Sequence, residues 1–357
     1  MSLSKSAVLE MLSRLRSRES ISALRAEIPG LQTLLAGGEQ GQPEVVTAPE
    51  DKSDSVVLSR PHLLEDLQQI GESQTLERAS HYLDRLQKGI MEVRTGEVND
   101  INFNRWKEYD DILTDSLWIV ERRDNSGAHS SEYWGNFIPQ IPNQLIRRYT
   151  KKGEWVLDTF LGCGTTLIES QRLGRHGIGI ELQPSVAAKA REAIASEPNA
   201  HGVTSQVVEG DSATASYQSL LRQHGQERVQ LVIMHPPYFD IIRFSEDPRD
   251  LSNASSVEGF LQMLTRVVQN AAAVLEPGRY LGLVIGDKYA RGEWIPLGFL
   301  AMNEILKSGG FTLKSIVVKN FEGTTGKRQQ KELWRYRALV GGFYVFKHEY
   351  VFVFTRR

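Results

Sequence analysis

A single cysteine, Cys163, stands in 357 residues, so no internal disulfide can form, and no Cys/His cluster has the spacing of zinc ligands. Oxidative stapling and structural zinc are therefore not expected. Long apolar runs are also lacking. None approaches the roughly 18 to 20 residues that a membrane-spanning helix needs, and the opening segment MSLSKSAVLEMLSRLRSRES breaks its apolar positions with charges, unlike a signal peptide. A cytoplasmic location without a membrane partner is the expectation. Neither sign of charge dominates, with 42 Lys and Arg against 44 Asp and Glu and a net charge of −2. A nucleic-acid partner would need a local basic surface. What is present, 40% hydrophobic and 24% charged residues, is the make-up of a chain with a packed core, and the length leaves room for one large domain with appendages or for two domains.

Apolar residues fall at helical spacing from Leu3 to Leu35 (Val8, Leu12, Leu15, then Ile21, Leu24, Ile28), with Pro29-Gly30 read as an interruption between two short helices. Residues 36–59 turn Gly-, Gln-, Pro- and Asp-rich, a composition that buries too little apolar surface to offset chain entropy, and predict a flexible linker. A second helical stretch follows, through Leu63, Leu67, Ile70, Leu76, Ala79, Leu83, Leu86 and Ile90. Residues 1–100 are thus assigned to a helical accessory region, whose apolar faces could serve self-association as a homodimer, DNA contact or packing on the remainder of the chain.

After Trp134 the pattern changes to short β-rich runs, EWVLDTF, HGIGIEL, SQVVEGD, VQLVIMHPPY and YLGLVIGD, separated by helical segments. The runs are apolar throughout, as strands covered on both faces should be, so the expectation for 101–357 is an α/β, doubly wound, mostly parallel sheet. FTLKSIVVKNF and GFYVFKHEYVFVF add a C-terminal antiparallel hairpin.

The run from Val156 through Asp158, Thr159, Phe160, Leu161, Gly162, Cys163, Gly164, Thr165 and Thr166 is a strand that ends in an acid and enters a Gly-rich turn before a helix. Glycines there let the backbone approach a ligand, and the helix N-terminus offers unpaired N–H groups. A second strand ends in Glu181, where a carboxylate can accept hydrogen bonds from both ribose hydroxyls of an adenosine ligand, and a third ends in Gly210-Asp211. No phosphate cradle of the form GxxxxGKS or GxxxxGKT occurs. An adenosine ligand without a polyphosphate is favoured.

The fourth strand delivers His235-Pro236-Pro237-Tyr238. Consecutive prolines cannot continue a ladder, so they stiffen the chain and leave carbonyl acceptors free. Here the sequence resembles the amino-group DNA methyltransferases that use S-adenosylmethionine, whose signature is a small or acidic polar residue followed by Pro-Pro and an aromatic. The Gly-rich turn is similar to that family's D-P-F-x-G-S-G-T-T, and Asn136-Phe137-Ile138-Pro139-Gln140-Ile141-Pro142 resembles its motif for the methionine end of the cofactor. Thr159 stands where the family has Pro, Cys163 where it has Ser, and His235 where it has Asp, Asn or Ser.

The resemblance implies a seven-stranded Rossmann-like methyltransferase sheet, S-adenosylmethionine as cofactor, and double-stranded DNA as partner, with a cognate restriction nuclease or a role in phage defence. It implies cofactor contacts at Phe137, Pro139, Asp158, Phe160, Gly162, Cys163, Gly164, Thr165, Thr166, Glu181 and Asp211, no metal, and catalysis at His235, Pro236, Pro237 and Tyr238. An exocyclic amine gives its lone pair to the ring, so acceptors must pull its hydrogens out of plane before the nitrogen can attack a sulfonium methyl. His235 with one unprotonated nitrogen and the Pro236 carbonyl would serve, with Tyr238 stacking on a flipped base. A neutral acceptor at 235 leans toward cytosine N4 over adenine N6. The only cysteine lies in the cofactor turn, against carbon-5 chemistry.

Residues 319–341 hold Lys319, Lys327, Arg328, Lys331, Arg335 and Arg337 against Glu322 and Glu332, with Trp334 and Tyr336 interleaved. This is the candidate DNA-contacting loop. Residues 239–253 are expected to form a mobile loop near the target base, and Asp287 and Lys288 either line the pocket or cap a strand. An RNA amino methyltransferase, or a non-catalytic nucleic-acid-binding subunit that kept the fold, are the alternatives.

Overall fold

Strand runs without polar interruption need cover on both faces, and the computed structural model, which describes residues 2–36, 55–129, 135–321 and 331–357, supplies it in the larger of two units. The first unit comprises Met1–Glu97 with Ile101–Asp111, and the second Val98–Asp100 with Ile112–Arg357. The chain therefore crosses between the units three times, after Glu97, Asp100 and Asp111. Residues after Ile101 fold back on the preceding helix end, where Phe103 N donates to Arg94 O and Arg94 N to Asn102 Oδ1.

In the first unit, β1 (Ser2–Ser4) pairs antiparallel with β2 (Ser55–Val57), beside α1 (Lys5–Arg16), α2 (Ile21–Ala36), α3 (Arg60–Gly71) and α4 (Leu76–Met91). Ser4 and Thr75 cap α1 and α4 by accepting from Ala7 N and Arg78 N, each at 3.2 Å, which satisfies donors the first turn leaves open. The expected break at Pro29 does not occur. The chain breaks at 17–20 instead, and α2 runs through Pro29 because burial of Leu24, Ile28 and Leu35 outweighs the lost backbone bond. Leu12, Leu24, Ile28, Leu67, Ile70 and Leu83 belong to one buried cluster, so these helices cover each other's apolar faces. Residues 37–54 of the expected linker lie outside the described residues.

The second unit has β3 (Leu117–Trp118), α5 (Gln140–Tyr149), β4 (Trp155–Asp158), α6 (Thr165–Arg172), β5 (His176–Glu181), α7 (Pro184–Ser196), β6 (Ser205–Glu209), α8 (Tyr217–Arg222) and β7 (Val229–Met234). It continues with α9 (Val257–Val274), β8 (Leu275–Ile285), β9 (Lys288–Ala290), β10 (Glu293–Ile295), α10 (Leu297–Lys307), β11 (Phe311–Asn320), α11 (Lys331–Gly341) and β12 (His348–Arg356). The sheet order is β3-β11-β12-β8-β7-β4-β5-β6. Strands β8, β7, β4, β5 and β6 are parallel to one another, and only β12 runs against them. This is the doubly wound, Rossmann-like sheet with eight strands rather than seven, the extra one being β3, two residues too short to read from a pattern.

Period-two packing divides the core. Val232 and Met234 of β7 join Phe260, Leu264 and Val268 of α9 and Ala301 of α10, whereas Leu231 and Ile233 join Ile141, Leu145 and Tyr149 of α5. Each buried Val, Leu, Ile, Phe or Met side chain among them contributes roughly 1.5 to 3 kcal/mol. Among the described residues no helix is long and apolar enough to cross a membrane.

Candidate active site at the reversal of strand order

The chain proceeds from β4 outward to β5 and β6, then returns to place β7 on the other side of β4. At such a reversal the connections leave in opposite directions and open a crevice beyond the carboxyl ends of the strands. Asp158 ends β4, Glu181 ends β5, and β7 runs directly into His235.

Gly162 and Gly164 carry φ of +54° and +93°, the left-handed conformation that L side chains rarely adopt, and a Cβ on Gly164 would meet Ile194 Cδ1 at 3.2 Å. Glu181 organises this turn, accepting from Gly162 N through Oε2 and from Gln183 N through Oε1, both at 2.9 Å. Burial pushes its carboxyl up to about 7 against those two hydrogen bonds, and the nearby charges of Asp158 and Asp250 add to the rise. Asp158 is wholly buried, with Oδ1 accepting from Phe160 N at 2.9 Å. Its Oδ2 has no hydrogen-bond partner, and neither has the buried Thr166 Oγ1. Burial raises the Asp158 carboxyl to about 6; the Thr166 hydroxyl favours its charged form, although the two atoms fall outside hydrogen-bond geometry. Asp211 closes its own turn, Oδ1 accepting from Ala213 N at 2.9 Å.

The segment before α5 joins this turn to the other half of the site. Asn136 Nδ2 donates to Cys163 Sγ at 2.8 Å, and Thr165 Oγ1 donates to Asn136 Oδ1 at 2.8 Å. The neighbouring Phe137 ring stacks on the His235 ring, with centroids 4.7 Å apart and planes at 22°. Pro139 stands at the start of α5, Phe160 packs partly buried against the core, and Pro236 is buried.

His235 Nε2 lies 3.1 Å from Tyr238 Oη, and Tyr238 Oη donates to Glu349 Oε2 at 2.7 Å. Glu349 Oε1 pairs with Lys319 Nζ at 3.2 Å, both side chains being 5% exposed. Burial drives His235 down to about 3, with the Lys319 charge in support, so the imidazole is neutral across the physiological range. Burial, followed by the Glu349 charge, raises the Tyr238 phenol well above its ordinary value. The Tyr238 ring lies over Gly286, where a Cβ would meet Tyr238 Cε2 at 2.9 Å.

Several sequence expectations are displaced. Lys319 is a correction: it belongs to β11 rather than to an exposed loop, and its charge is committed to Glu349. Lys327 and Arg328 lie outside the described residues, and Lys331 opens α11. Trp334, Arg335 and Arg337 lie on α11, where Arg335 and Arg337 are exposed beside exposed Leu333, Tyr336, Leu339 and Val340. The connection carrying α11 leaves β11 and enters β12 at the sheet edge that holds His235, and Phe343 beyond it stacks on Tyr289 of β9 at 4.0 Å. Residues 239–253 are anchored at both ends, with much of the stretch between exposed. Phe239 and Leu251 are buried, and Asp250 accepts from Ser252 N at 2.9 Å and from Ser245 Oγ at 2.7 Å. Asp250, an acid the sequence pattern did not single out, is thereby held near Glu181. Asp287 caps, accepting from Gly298 N, Trp294 Nε1 and Tyr350 Oη, and Lys288 pairs with Asp240.

Asp124, His129 and Glu169 bring three potential metal ligands together. Arg172 already occupies that cluster, 3.2 Å from Glu169 Oε1 and 3.7 Å from Asp124 Oδ2, which makes it an ion-pair network.

The family model described as DNA methylase, N6_N4_Mtase, matches residues 66–192, a span that includes the Gly-rich turn and Glu181 and stops before His235. Type II methyltransferase M.MjaII of Methanocaldococcus jannaschii is 38% identical over 75 residues, 21% of this chain and 14% of that protein. Type II methyltransferase M.MthZI of Methanothermobacter thermautotrophicus is 35% identical over 79 residues, 22% of this chain and 21% of its own. Type II methyltransferase M2.DpnII of Streptococcus pneumoniae is 33% identical over 99 residues, 26% and 33% of the two chains. The chain thus spans a third or less of the length of these curated relatives. Among solved structures, TrmN from Thermus thermophilus overlaps 62% of this chain and 49% of its own at 18% identity and a TM-score of 0.39.

Proposed function

From its place among the amino-group DNA methylases, we propose that this chain transfers a methyl group from S-adenosylmethionine to an exocyclic amine of a base flipped out of duplex DNA, with cytosine N4 favoured over adenine N6. The observation that carries the proposal is the joining of two half-sites. Asn136 binds the Gly-rich turn while the adjacent Phe137 stacks on His235.

The residues at the crevice fit the cofactor. Asp158 and Glu181 are buried acids with no Lys or Arg in ion-pair distance among the described residues, and Asp158 Oδ2 lacks any donor. Such a pair calls for hydroxyl donors and positive charge, which the ribose and the sulfonium and ammonium groups of S-adenosylmethionine bring. Asp158, Glu181 and the turn from Gly162 to Thr166 would hold it, and the group when bound supplies a methyl activated by the sulfonium charge.

The other half of the site prepares the amine. A neutral His235 accepts a hydrogen bond without placing a second cation beside the cofactor, and the Pro236 carbonyl is the second acceptor. Tyr238 is held at its hydroxyl and at one edge, so its ring stands ready as a stacking surface. On α11, Arg335, Arg337, Trp334 and Tyr336 combine charge for phosphates with aromatic surface, at the edge where a flipped base must enter. DNA methylation within a restriction–modification pair, with a companion nuclease, follows from this reading. The apolar faces of α1 to α4 are already occupied, so they supply nothing in favour of a homodimer.

A non-catalytic subunit would leave two buried carboxylates raised and unpaired with no ligand to offset them. Incubation with duplex DNA and labelled S-adenosylmethionine, followed by digestion to nucleosides and mass spectrometry, tests the proposal. N4-methylcytosine is the expected product, N6-methyladenine would reassign the base, and no labelled nucleoside would refute it.

A further inference from the structure

Four side chains, from β11, β12 and the loop that follows β7, form one chain of contacts behind the Pro-Pro motif: Lys319, Glu349, Tyr238 and His235. Lys319 and Glu349 are register partners on β11 and β12, and neither was part of the expected catalytic motif. A phenol has one hydrogen. Tyr238 gives it to Glu349 Oε2 at 2.7 Å, while Glu349 Oε1 pairs with Lys319 Nζ at 3.2 Å. The phenol oxygen can then only accept from His235, whose Nε2 is 3.1 Å away. Nε2 must therefore carry the imidazole proton, and the lone pair is left on Nδ1.

We propose that Glu349, steadied by Lys319, is a positioning residue that acts through the Tyr238 hydroxyl to fix His235 as its Nε2–H tautomer, which makes Nδ1 the acceptor for the target amine. The proton on Nε2 stands on the hydrogen-bond geometry, the lone pair on Nδ1 also on the ring being neutral, and its use in catalysis rests on the methyl-transfer reading above. A neutral imidazole offers one donor and one acceptor nitrogen, and the wrong tautomer would present N–H to an amine that itself needs an acceptor. Asp needs no such device, because both carboxylate oxygens accept. The network is what histidine at this position requires.

Two readouts separate the claims. In the full-length chain with 15N-labelled histidine, ring-nitrogen shifts distinguish a protonated from a lone-pair nitrogen, and His235 is expected to carry its proton on Nε2. In Glu349→Ala the phenol hydrogen is released to Nε2 and the proton should move to Nδ1, whereas Glu349→Gln keeps a carbonyl acceptor and should preserve the parental tautomer. Should Glu349→Ala fail to fold because Lys319 is left unpaired, Lys319→Met with Glu349→Leu removes both charges and should show the same switch. For catalysis, kcat on DNA should fall at least ~10-fold in the variant that switches and recover in Glu349→Gln, with the cofactor Kd unchanged. A parental protein with the proton on Nδ1, or an unaltered tautomer without Glu349, would overturn the assignment. Equal kcat in a variant with a switched tautomer would overturn the catalytic role. A parent that methylates no DNA, yet carries the expected tautomer, would sink the functional reading and leave the geometry standing.

Discussion

Replacing Asp158 by Asn should make the free protein more stable while impairing cofactor binding. The carboxyl is wholly buried, has one hydrogen-bond donor, and is raised from 3.8 to about 6. A folded-state pKa above the unfolded one means that the native chain holds the proton more tightly, so stability is greatest below 3.8, declines as pH rises through about 6, and levels off above that. The full rise corresponds to ~3 kcal/mol at pH 8. Asn keeps the acceptor for Phe160 N and presents an amide toward Thr166 Oγ1, which has no partner. Allowing for relaxation, the variant should gain about 1 to 3 kcal/mol at pH 8, or ~2 to 4 °C in Tm per kcal/mol. Calorimetric melts of the free protein at pH 8 and pH 4 supply the assay, with the advantage expected to be largely lost at pH 4. A variant that is less stable at pH 8, or a difference independent of pH, would refute the account of Asp158 as a destabilising buried charge kept for a ligand.

Glu181, raised to about 7, makes a companion case: its carboxylate is the better acceptor, so cofactor affinity measured by calorimetry should fall as pH drops below about 7, by up to ~10-fold per pH unit, and be flat from 7.5 to 9. His235, held near 3, should contribute no inflection to the turnover profile between pH 5 and 8; an acid limb near 6.5 that vanished in His235→Asn would contradict its burial. Gly286→Ala should displace the Tyr238 ring, since the added methyl would lie 2.9 Å from Cε2, and should lower turnover by ~10-fold or more with cofactor binding intact, as read by steady-state kinetics beside calorimetry. Arg335→Ala with Arg337→Ala should weaken DNA binding and reduce the slope of log K against log salt by about two, and an unchanged slope would leave α11 a solvated surface.

What was legible in the sequence was whatever is local. Five apolar strand runs, the acids at their ends, the Gly-rich turn and the Pro-Pro motif each lie within a dozen residues, and strand periodicity and turn chemistry specify them directly. What stayed hidden depends on register. Lys319 reads as one cation in a basic stretch, and nothing in the sequence says that an antiparallel pairing closed across 29 intervening residues sets it against Glu349. Asp287 reads equally as a pocket acid or a cap until Gly298, Trp294 and Tyr350 are brought to it. Pro29 misled because local propensity yielded to the burial of Ile28 and Leu35.

Register also explains why histidine can stand at position 235. The side of the crevice proposed for the cofactor already gathers Asp158, Glu181 and Asp250, where burial, reinforced by the charges of the other two acids, raises Glu181. An aspartate at 235 would put one more buried carboxylate at the crevice. Histidine adds an acceptor without adding charge, and burial keeps it neutral far below neutral pH. The acid on the side proposed for the target amine is instead Glu349, on the far side of the Tyr238 hydroxyl and paired with Lys319. In the proposed mechanism Glu349 thus orients hydrogens rather than accepting them from the amine, and Asp158 and Glu181, with no ion-pair partner among the described residues, remain on the side proposed for the sulfonium.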